Sequence, residues 1–217
     1  MPPPFYAHDP FLALHQAMQS RWLDLVAATI STACAGWALA LIGLFAIAWV
    51  ERDRRKLLAA FLPFLVALAA SGAVVQELKD LLATPRPLSV YGPQRVRIGL
   101  EPLYMFGFPS GHSSAVATFA VYAALAYGAR MRWTLGLMLL GGVSRIYVGA
   151  HWVTDVVGGW ALGAMLGAMV YALALWSSPR GHLAAVRRER RGSDLRTLGP
   201  PRGQPPKGAD PEVPRAP

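Results

Sequence analysis

The sequence is poor in the residues that stabilise secreted domains and bind metals. It contains one cysteine, Cys34, so an intrachain disulfide is excluded. Only 15% of its 217 residues are charged, against roughly 25% in an ordinary soluble domain. It has no HExxH motif, no cysteine pair and no acidic cluster that would complete a metal coordination shell. We therefore expect neither a metal nor another cofactor.

The N-terminus lacks the pattern of a cleavable signal peptide. MPPPFYAHDP has neither a basic region nor an apolar core. The next stretch, residues 9–24 (DPFLALHQAMQSRWLD), is amphipathic and begins with Asp9-Pro10, which predicts an interfacial helix. It is too short to cross a membrane. Residues 1–24 are therefore predicted to form an extracytoplasmic segment.

The remaining composition is that of a membrane protein. Hydrophobic residues make up 54% of the chain, and the mean hydropathy is +0.34. A membrane helix needs about 20 apolar residues. The predicted spans are Leu25–Val50, Leu57–Leu78, Ser114–Tyr127, Trp133–Tyr147 and Val153–Trp176. We expect an all-α polytopic bundle over residues 25–178, with about five transmembrane helices.

The basic residues predict the orientation. The loop ERDRRK (51–56), the connection with Arg130 and Arg132, and the tail 179–217 are all rich in cations, so we place them in the cytoplasm. The tail is also rich in proline and is predicted to be disordered. Because the net charge of +9 is concentrated in this tail, we do not expect nucleic-acid binding.

Three polar clusters interrupt the apolar chain, and the predicted topology places all three at the outer membrane face. They are KDLLATPRP (79–87), FPSGHSS (108–114) and SRIYVGAHWVTD (144–155). Polar groups next to lipid are costly and rarely lack a function. Their coincidence on one side predicts a single site.

The cations in these clusters suggest an anionic ligand. Lys79, Arg86 and Arg145 have no neighbouring run of acidic residues, and the guanidinium fork matches phosphate oxygens. Each alone would more often be a helix-end residue that reaches the interface. Ser110 and Gly111 have the form of a helix start, which binds anions or is simply a cap.

The histidines could supply the chemistry. His112 falls in the first turn of the helix that Ser110 begins. His151 and Asp155 are four residues apart and share a helix face. A carboxylate bonded to one imidazole nitrogen presents the other as a nucleophile or base. The alternative for this pair is a helix-capping bond.

The combined pattern resembles a known signature. Lys79 is followed after six residues by Arg86-Pro87, then comes Pro109-Ser110-Gly111-His112, and Ser144-Arg145 precedes His151 and Asp155. This resembles the complete signature of the type 2 phosphatidic acid phosphatase (PAP2) superfamily, which includes bacterial acid phosphatases and vanadium haloperoxidases. The resemblance covers roughly residues 57–176. Membrane members usually have six spans, whereas five are counted here.

The resemblance implies a fold and a role for each signature residue. It implies a PAP2/haloperoxidase-like helical core in which His151 attacks phosphorus, Asp155 orients it, and His112 protonates the leaving oxygen. The implied phosphate-binding groups are Lys79, Arg86, Ser110, Gly111 and Arg145.

The implied function is an integral-membrane lipid phosphatase at the outer face of a bacterial cytoplasmic membrane. Candidate substrates are undecaprenyl diphosphate, phosphatidylglycerophosphate, phosphatidic acid and the phosphates of lipid A. The alternatives are a lipid phosphotransferase and a non-catalytic membrane scaffold. Tyr91, Arg95, Arg97 and Tyr104 are candidates for the head-group entrance, or else ordinary interface anchors.

Overall fold

The structure, a computed structural model, describes residues 2–97 and 106–177. Within these residues it contains only helices and no strand, in agreement with the predicted class. The helices are α1 (Phe11–Met18), α2 (Arg21–Ala33), α3 (Gly36–Val50), α4 (Arg54–Leu82), α5 (Pro87–Tyr91), α6 (Gly111–Tyr127), α7 (Trp133–Tyr147) and α8 (Val153–Ser177). The predicted disordered tail lies outside the described residues.

Helix α6 lies at the centre of the bundle. Twelve of its 17 residues are buried, which is expected of a helix surrounded by other helices on all sides. Helices α4, α7 and α8 pack around it. The first turn of α6 carries one of the three polar clusters, so the central helix holds that cluster among the others.

Helices α6 and α8 touch through their backbones. A Cβ atom added to Gly159 would lie 2.5 Å from the carbonyl oxygen of Ser110, and one added to Gly163 would lie 2.0 Å from that of Ser114. Gly167 is similarly crowded, one turn further along. Small residues at this spacing allow helix axes to approach closely. The contact brings the N-terminal ends of α6 and α8, and therefore two polar clusters, side by side.

The first predicted span is not one straight helix. Helix α2 ends at Ala33, α3 begins at Gly36, and the two are bent by 78°. Helix α2 packs mainly on α7, whereas α3 packs on α4 and α6. Apart from Ser31 and Thr32, the residues on both sides of the bend are apolar or glycine, so mean hydropathy does not reveal it. Cys34 at the bend is buried, as expected of a small hydrophobic residue.

The count of five spans is not confirmed. Among the described residues, two helical stretches, 54–91 and 153–176, are long and apolar enough to cross a membrane, and the bent α2–α3 pair would be a third. Helices α6 and α7 have 17 and 15 residues, fewer than the roughly 20 that a membrane helix needs. Their boundaries nevertheless agree closely with the predicted third and fourth spans.

The N-terminal segment is docked on the bundle. The predicted helix over 9–24 is divided into α1 and the beginning of α2, and both Phe11 and His15 of α1 are buried. The backbone amide of Arg97 donates to His15 Nε2 at 3.0 Å, so Nδ1 carries the proton and donates to the Ile146 carbonyl at 2.9 Å. Helix α1 is thus tied to α7 and to the outer loop, which amphipathicity alone did not predict.

Candidate active site

The His151–Asp155 pair lies where α7 gives way to α8. His151 is in the loop 148–152, and Asp155 is in the first turn of α8. Asp155 Oδ2 is 3.2 Å from His151 Nδ1 and accepts the backbone N–H of Trp152 at 3.1 Å. Both side chains are almost completely buried. The carboxylate therefore caps α8 and orients the imidazole at the same time.

Arg86 determines the tautomer of His151. Its Nη1 lies 3.1 Å from His151 Nε2 and donates to the Ala150 carbonyl oxygen at 2.7 Å. Because a guanidinium has only donors, Nε2 must be the acceptor and Nδ1 must carry the proton, which points at Asp155. The unprotonated nitrogen of His151 therefore faces a cation.

The other cations of the signature surround the same imidazole. Burial lowers the pKa of His151 well below its usual range, and the positive charges of Arg86, Arg145 and Lys79 lower it further. His112 acts in the same direction. Coulomb interactions weaken with distance, so these charged side chains lie near the imidazole. The three clusters, separated in sequence, thus converge on one site.

Direct hydrogen bonds join the three clusters. The Trp152 indole N–H donates to the Pro85 carbonyl at 2.8 Å, and the Ser110 amide donates to the Asp155 carbonyl at 3.0 Å. The amide of Phe108 donates to the hydroxyl oxygen of Thr84 at 2.8 Å. Each cluster is therefore hydrogen-bonded to both of the others.

Ser110 is the N-cap of α6. Its Oγ accepts from the Ser113 amide at 3.4 Å and from the Ser113 hydroxyl at 2.9 Å. Gly111 and His112 follow in the first turn, where the amides have no partner within the helix. His112 is half-buried. The end of α6 thus combines free donors, the positive end of the helix dipole and an imidazole.

Arg145 and Lys79 approach from α7 and α4. Arg145 is 3% exposed, and its Nη1 donates to the hydroxyl of Ser31 in α2. Its Nε has no hydrogen-bond partner among the described residues. Lys79, in the last turn of α4, is half-buried. A buried guanidinium with an unpaired N–H is suited to an anionic acceptor.

Three residues outside the predicted set contact this site, and all of them precede α3 in the chain. The Tyr6 hydroxyl donates to Asp155 Oδ1 at 2.7 Å, and Ser31 binds Arg145. Asp9 accepts the amides of Val153 and Thr154 at the start of α8. Their partners are more than 100 residues away, and no local pattern marks such contacts.

The candidate entrance residues contact the protein itself. The Arg95 guanidinium lies 5.2 Å from the centre of the Tyr91 ring. The side chain of Arg97 binds Gln19 and Asp24. These contacts explain why cations are present in the outer loop. Tyr104 lies outside the described residues.

Comparison with known proteins identifies the family. The chain is 37% identical over 91 residues to an undecaprenyl-diphosphatase of Sulfolobus acidocaldarius, a match that covers 41% of this chain and 42% of that protein. It is 34% identical over 140 residues to a decaprenylphosphoryl-5-phosphoribose phosphatase of Mycobacterium tuberculosis, covering 63% and 71%. The chain therefore spans less than half of the first relative and more than two thirds of the second.

A solved structure shares the fold. The crystal structure of Aquifex aeolicus LpxE superposes with a TM-score of 0.63 at 22% identity, covering 78% of this chain and 98% of that one. The apolar helices and this neighbour are consistent with a membrane protein. The model of the PAP2 superfamily matches residues 60–179, more than half of the chain and all three polar clusters. The chain belongs to the PAP2 superfamily.

Proposed function

We propose that this protein is an integral-membrane lipid phosphatase that hydrolyses a phosphomonoester or diphosphate head group through a phosphohistidine on His151. The observation that carries the proposal is the state of this imidazole: Nδ1 is bonded to Asp155, and Nε2 faces Arg86. Nucleophilic attack on phosphorus requires a neutral, oriented nitrogen in a cationic pocket. The relatives named as phosphatases support the same reaction class.

In the first step, the Arg86 N–H that faces Nε2 turns to a phosphoryl oxygen, the freed Nε2 lone pair of His151 attacks phosphorus, and the bond from phosphorus to the leaving oxygen breaks. The imidazole ring becomes positive, and Asp155 stabilises it through the Nδ1–H bond. His112, protonated once the negative charge of the bound head group offsets the surrounding cations, donates its proton to the leaving oxygen. The lipid departs with a hydroxyl or, from a diphosphate, as the monophosphate.

In the second step, water attacks the phosphorus of the phosphohistidine. His112 accepts a proton from this water, the P–N bond breaks, and its electron pair returns to Nε2 of His151. Inorganic phosphate leaves, and both histidines regain their starting protonation states. No net charge or proton is left on the protein.

The phosphoryl oxygens are held by the remaining signature residues, namely Lys79, Arg86, Ser110, the Gly111 amide and Arg145. Phosphoryl transfer depends mainly on positioning and on stabilisation of the oxygens' charge. Fixed cations in a buried site provide both. The unpaired Nε of Arg145 and the first amides of α6 are the donors that such an anion would satisfy.

The proposed location is a bacterial cytoplasmic membrane, crossed by about five spans, with the site at the periplasmic face. Two observations support this orientation. The site lies at the end of the bundle where α4 and α7 finish and α6 and α8 begin. The basic connections, 51–56 and 128–132, lie at the opposite ends of these helices, as expected for cytoplasmic loops.

The substrate class is a lipid phosphate whose tails remain in the bilayer while its head group enters the site. Undecaprenyl diphosphate, phosphatidylglycerophosphate, phosphatidic acid and lipid A phosphates all have this form. The catalytic groups contact only the phosphate in the proposed mechanism. The signature residues therefore do not select among these lipids.

The test is a phosphate-release assay with the full chain, purified in detergent, on each of these four lipids in the presence of EDTA. We expect inorganic phosphate from at least one lipid, no phosphorylated acceptor, and no release by the His151→Ala variant. A phosphorylated acceptor would indicate a transferase, and loss of all activity in EDTA would contradict the metal-free mechanism. Activity equal in His151→Ala and wild type would refute the assignment of the nucleophile.

A further inference from the structure

Tyr6 contacts the proposed catalytic pair from outside the family-matched region. Its hydroxyl donates to Asp155 Oδ1 at 2.7 Å, across 149 residues of sequence. Tyr6 is 1% exposed and Asp155 is 0% exposed. The other carboxylate oxygen, Oδ2, accepts from His151 and from the Trp152 amide. Each oxygen of the carboxylate thus has its own donors, and Tyr6 alone among the described side chains bonds to Oδ1.

The ring of Tyr6 is held in place on several sides. It stacks on the indole of Trp152 with ring centres 4.5 Å apart, and Phe5 meets it edge-on at 4.9 Å. Three residues later, Asp9 accepts the Thr154 amide at 2.7 Å and its hydroxyl at 2.5 Å. The N-terminal segment is therefore fastened to α8 beside Asp155, and the hydroxyl is directed at the carboxylate.

The hydroxyl of Tyr6 is a donor at every pH at which the enzyme would work. Burial raises the pKa of Tyr6 far above its usual range, and the negative charge of Asp155 adds to this effect. The group therefore stays protonated. A hydrogen bond to the charged form of a carboxylate stabilises that form and fixes its plane.

We infer that Tyr6 is a positioning residue of the catalytic centre. Its hydroxyl orients the Asp155 carboxylate and reduces the negative charge that this carboxylate presents to His151. This inference rests on the proposed function. Without the Tyr6 hydroxyl, the carboxylate would lose the donor that fixes its plane while it keeps its contact with Nδ1. More of its negative charge would also act on the imidazole, and this would favour the imidazolium form.

The test compares Tyr6→Phe with Tyr122→Phe in the full chain. Tyr122 is also fully buried, and its hydroxyl donates to the Ala60 carbonyl at the same distance, 2.7 Å. It lies eleven residues after Gly111 on α6, or roughly 16 Å along the helix. Both variants keep their ring and lose one buried hydrogen bond, so Tyr122→Phe controls for stability.

For Tyr6→Phe we expect kcat on the best lipid substrate to fall about tenfold, as for a lost hydrogen bond to a charged group, with little change in KM. The acid limb of the kcat/KM profile should move to higher pH, because the pKa of His151 rises. Tyr122→Phe should lower only the thermal-unfolding midpoint. A wild-type kcat and pH profile in Tyr6→Phe would overturn the inference, as would parallel losses in both variants without a pH shift.

A second measurement separates this inference from the proposed function. The His151 ring can be titrated by NMR in ¹⁵N-histidine-labelled protein, with its signal assigned through His151→Gln. We expect Tyr6→Phe to raise this pKa whether or not the lipid assay succeeds. An unchanged titration would overturn the role of Tyr6. An absence of phosphate release together with the shifted titration would instead refute only the proposed function.

Discussion

The family-matched region and the part of the chain that precedes it, residues 2–50, contribute to the same site in different ways. Residues 60–177 carry every group proposed to react or to bind phosphate. Residues 2–50 carry none of these groups, yet Tyr6, Asp9 and Ser31 hold Asp155, α8 and Arg145. The reactive groups occur in short motifs because each motif lies around the end of a helix. Supporting groups need only meet their partners in space, so they can come from any part of the chain.

The largest loss of activity should follow from a substitution in the family-matched region, Arg86→Ala. This substitution removes the donor to His151 Nε2 and to the Ala150 carbonyl, as well as one proposed phosphate ligand. We expect kcat/KM for phosphate release to fall by roughly 100- to 1,000-fold, as for loss of one preorganised transition-state donor.

The matched control for Arg86→Ala is Arg130→Ala. Arg130 is an exposed cation in the connection between α6 and α7, at the opposite end of the bundle. The Arg130→Ala variant should retain wild-type activity. Equal losses in the two variants would mean that net charge, and not the site, determines the rate.

The pH profile tests the electrostatics of the family-matched region. Burial and the three cations lower the pKa of His151, and the ring must be neutral to attack. After correction for substrate ionisation, the acid limb of kcat/KM should therefore lie below the usual imidazole pKa of about 6.5. Arg86→Ala removes one charge that disfavours the imidazolium, so its limb should move to higher pH. A wild-type limb at or above the usual value would contradict the described environment.

Sequence patterns predicted the structure of the family-matched region far better than that of residues 2–50. The bounds of α7 and the start of α8 agree with the prediction because polar and glycine residues flank each apolar run. Ser110 was recognisable as an N-cap because polar and glycine residues also precede the apolar run of α6. The bend at Cys34 was missed because the residues on both sides of it are mostly apolar, and Ser31 and Thr32 interrupt the run too briefly to indicate a break. The contact of Tyr6 with Asp155 was missed because it joins distant segments, and its position depends on the completed fold.

A smaller effect, on anion binding, is expected where a residue of the first 50 supports a cation of the site. Ser31 is fully buried and accepts a hydrogen bond from Arg145. In Ser31→Ala, Arg145 would be less ordered before the anion binds, and ordering one long side chain costs about 0.5–1.5 kcal/mol. We expect the inhibition constants for vanadate and inorganic phosphate to rise by roughly two- to tenfold.

The control for Ser31→Ala is its neighbour Thr32. The Thr32 hydroxyl bonds only within α2, to the Ala28 carbonyl at 3.0 Å, and faces outward. Thr32→Ala should leave both inhibition constants unchanged. If Ser31→Ala also left them unchanged, Arg145 would not need its partner in α2 to bind an anion.

The smallest effect should come from the cap of α8. Asp9 accepts the amides of Val153 at 3.2 Å and Thr154 at 2.7 Å, and loss of such a cap typically costs about 1 kcal/mol. In Asp9→Ala, the thermal-unfolding midpoint should therefore fall by about 2–4 °C, and kcat should fall a few-fold because the same helix turn carries Asp155.

The matched control is Asp53→Ala, since Asp53 caps α4 through the Arg55 and Lys56 amides at the other end of the bundle. Asp53→Ala should lower the thermal-unfolding midpoint and leave kcat unchanged. A loss of kcat in both variants would show that any weakened helix end slows the enzyme. A loss in Asp9→Ala alone would show that the N-terminal segment acts on the site through α8.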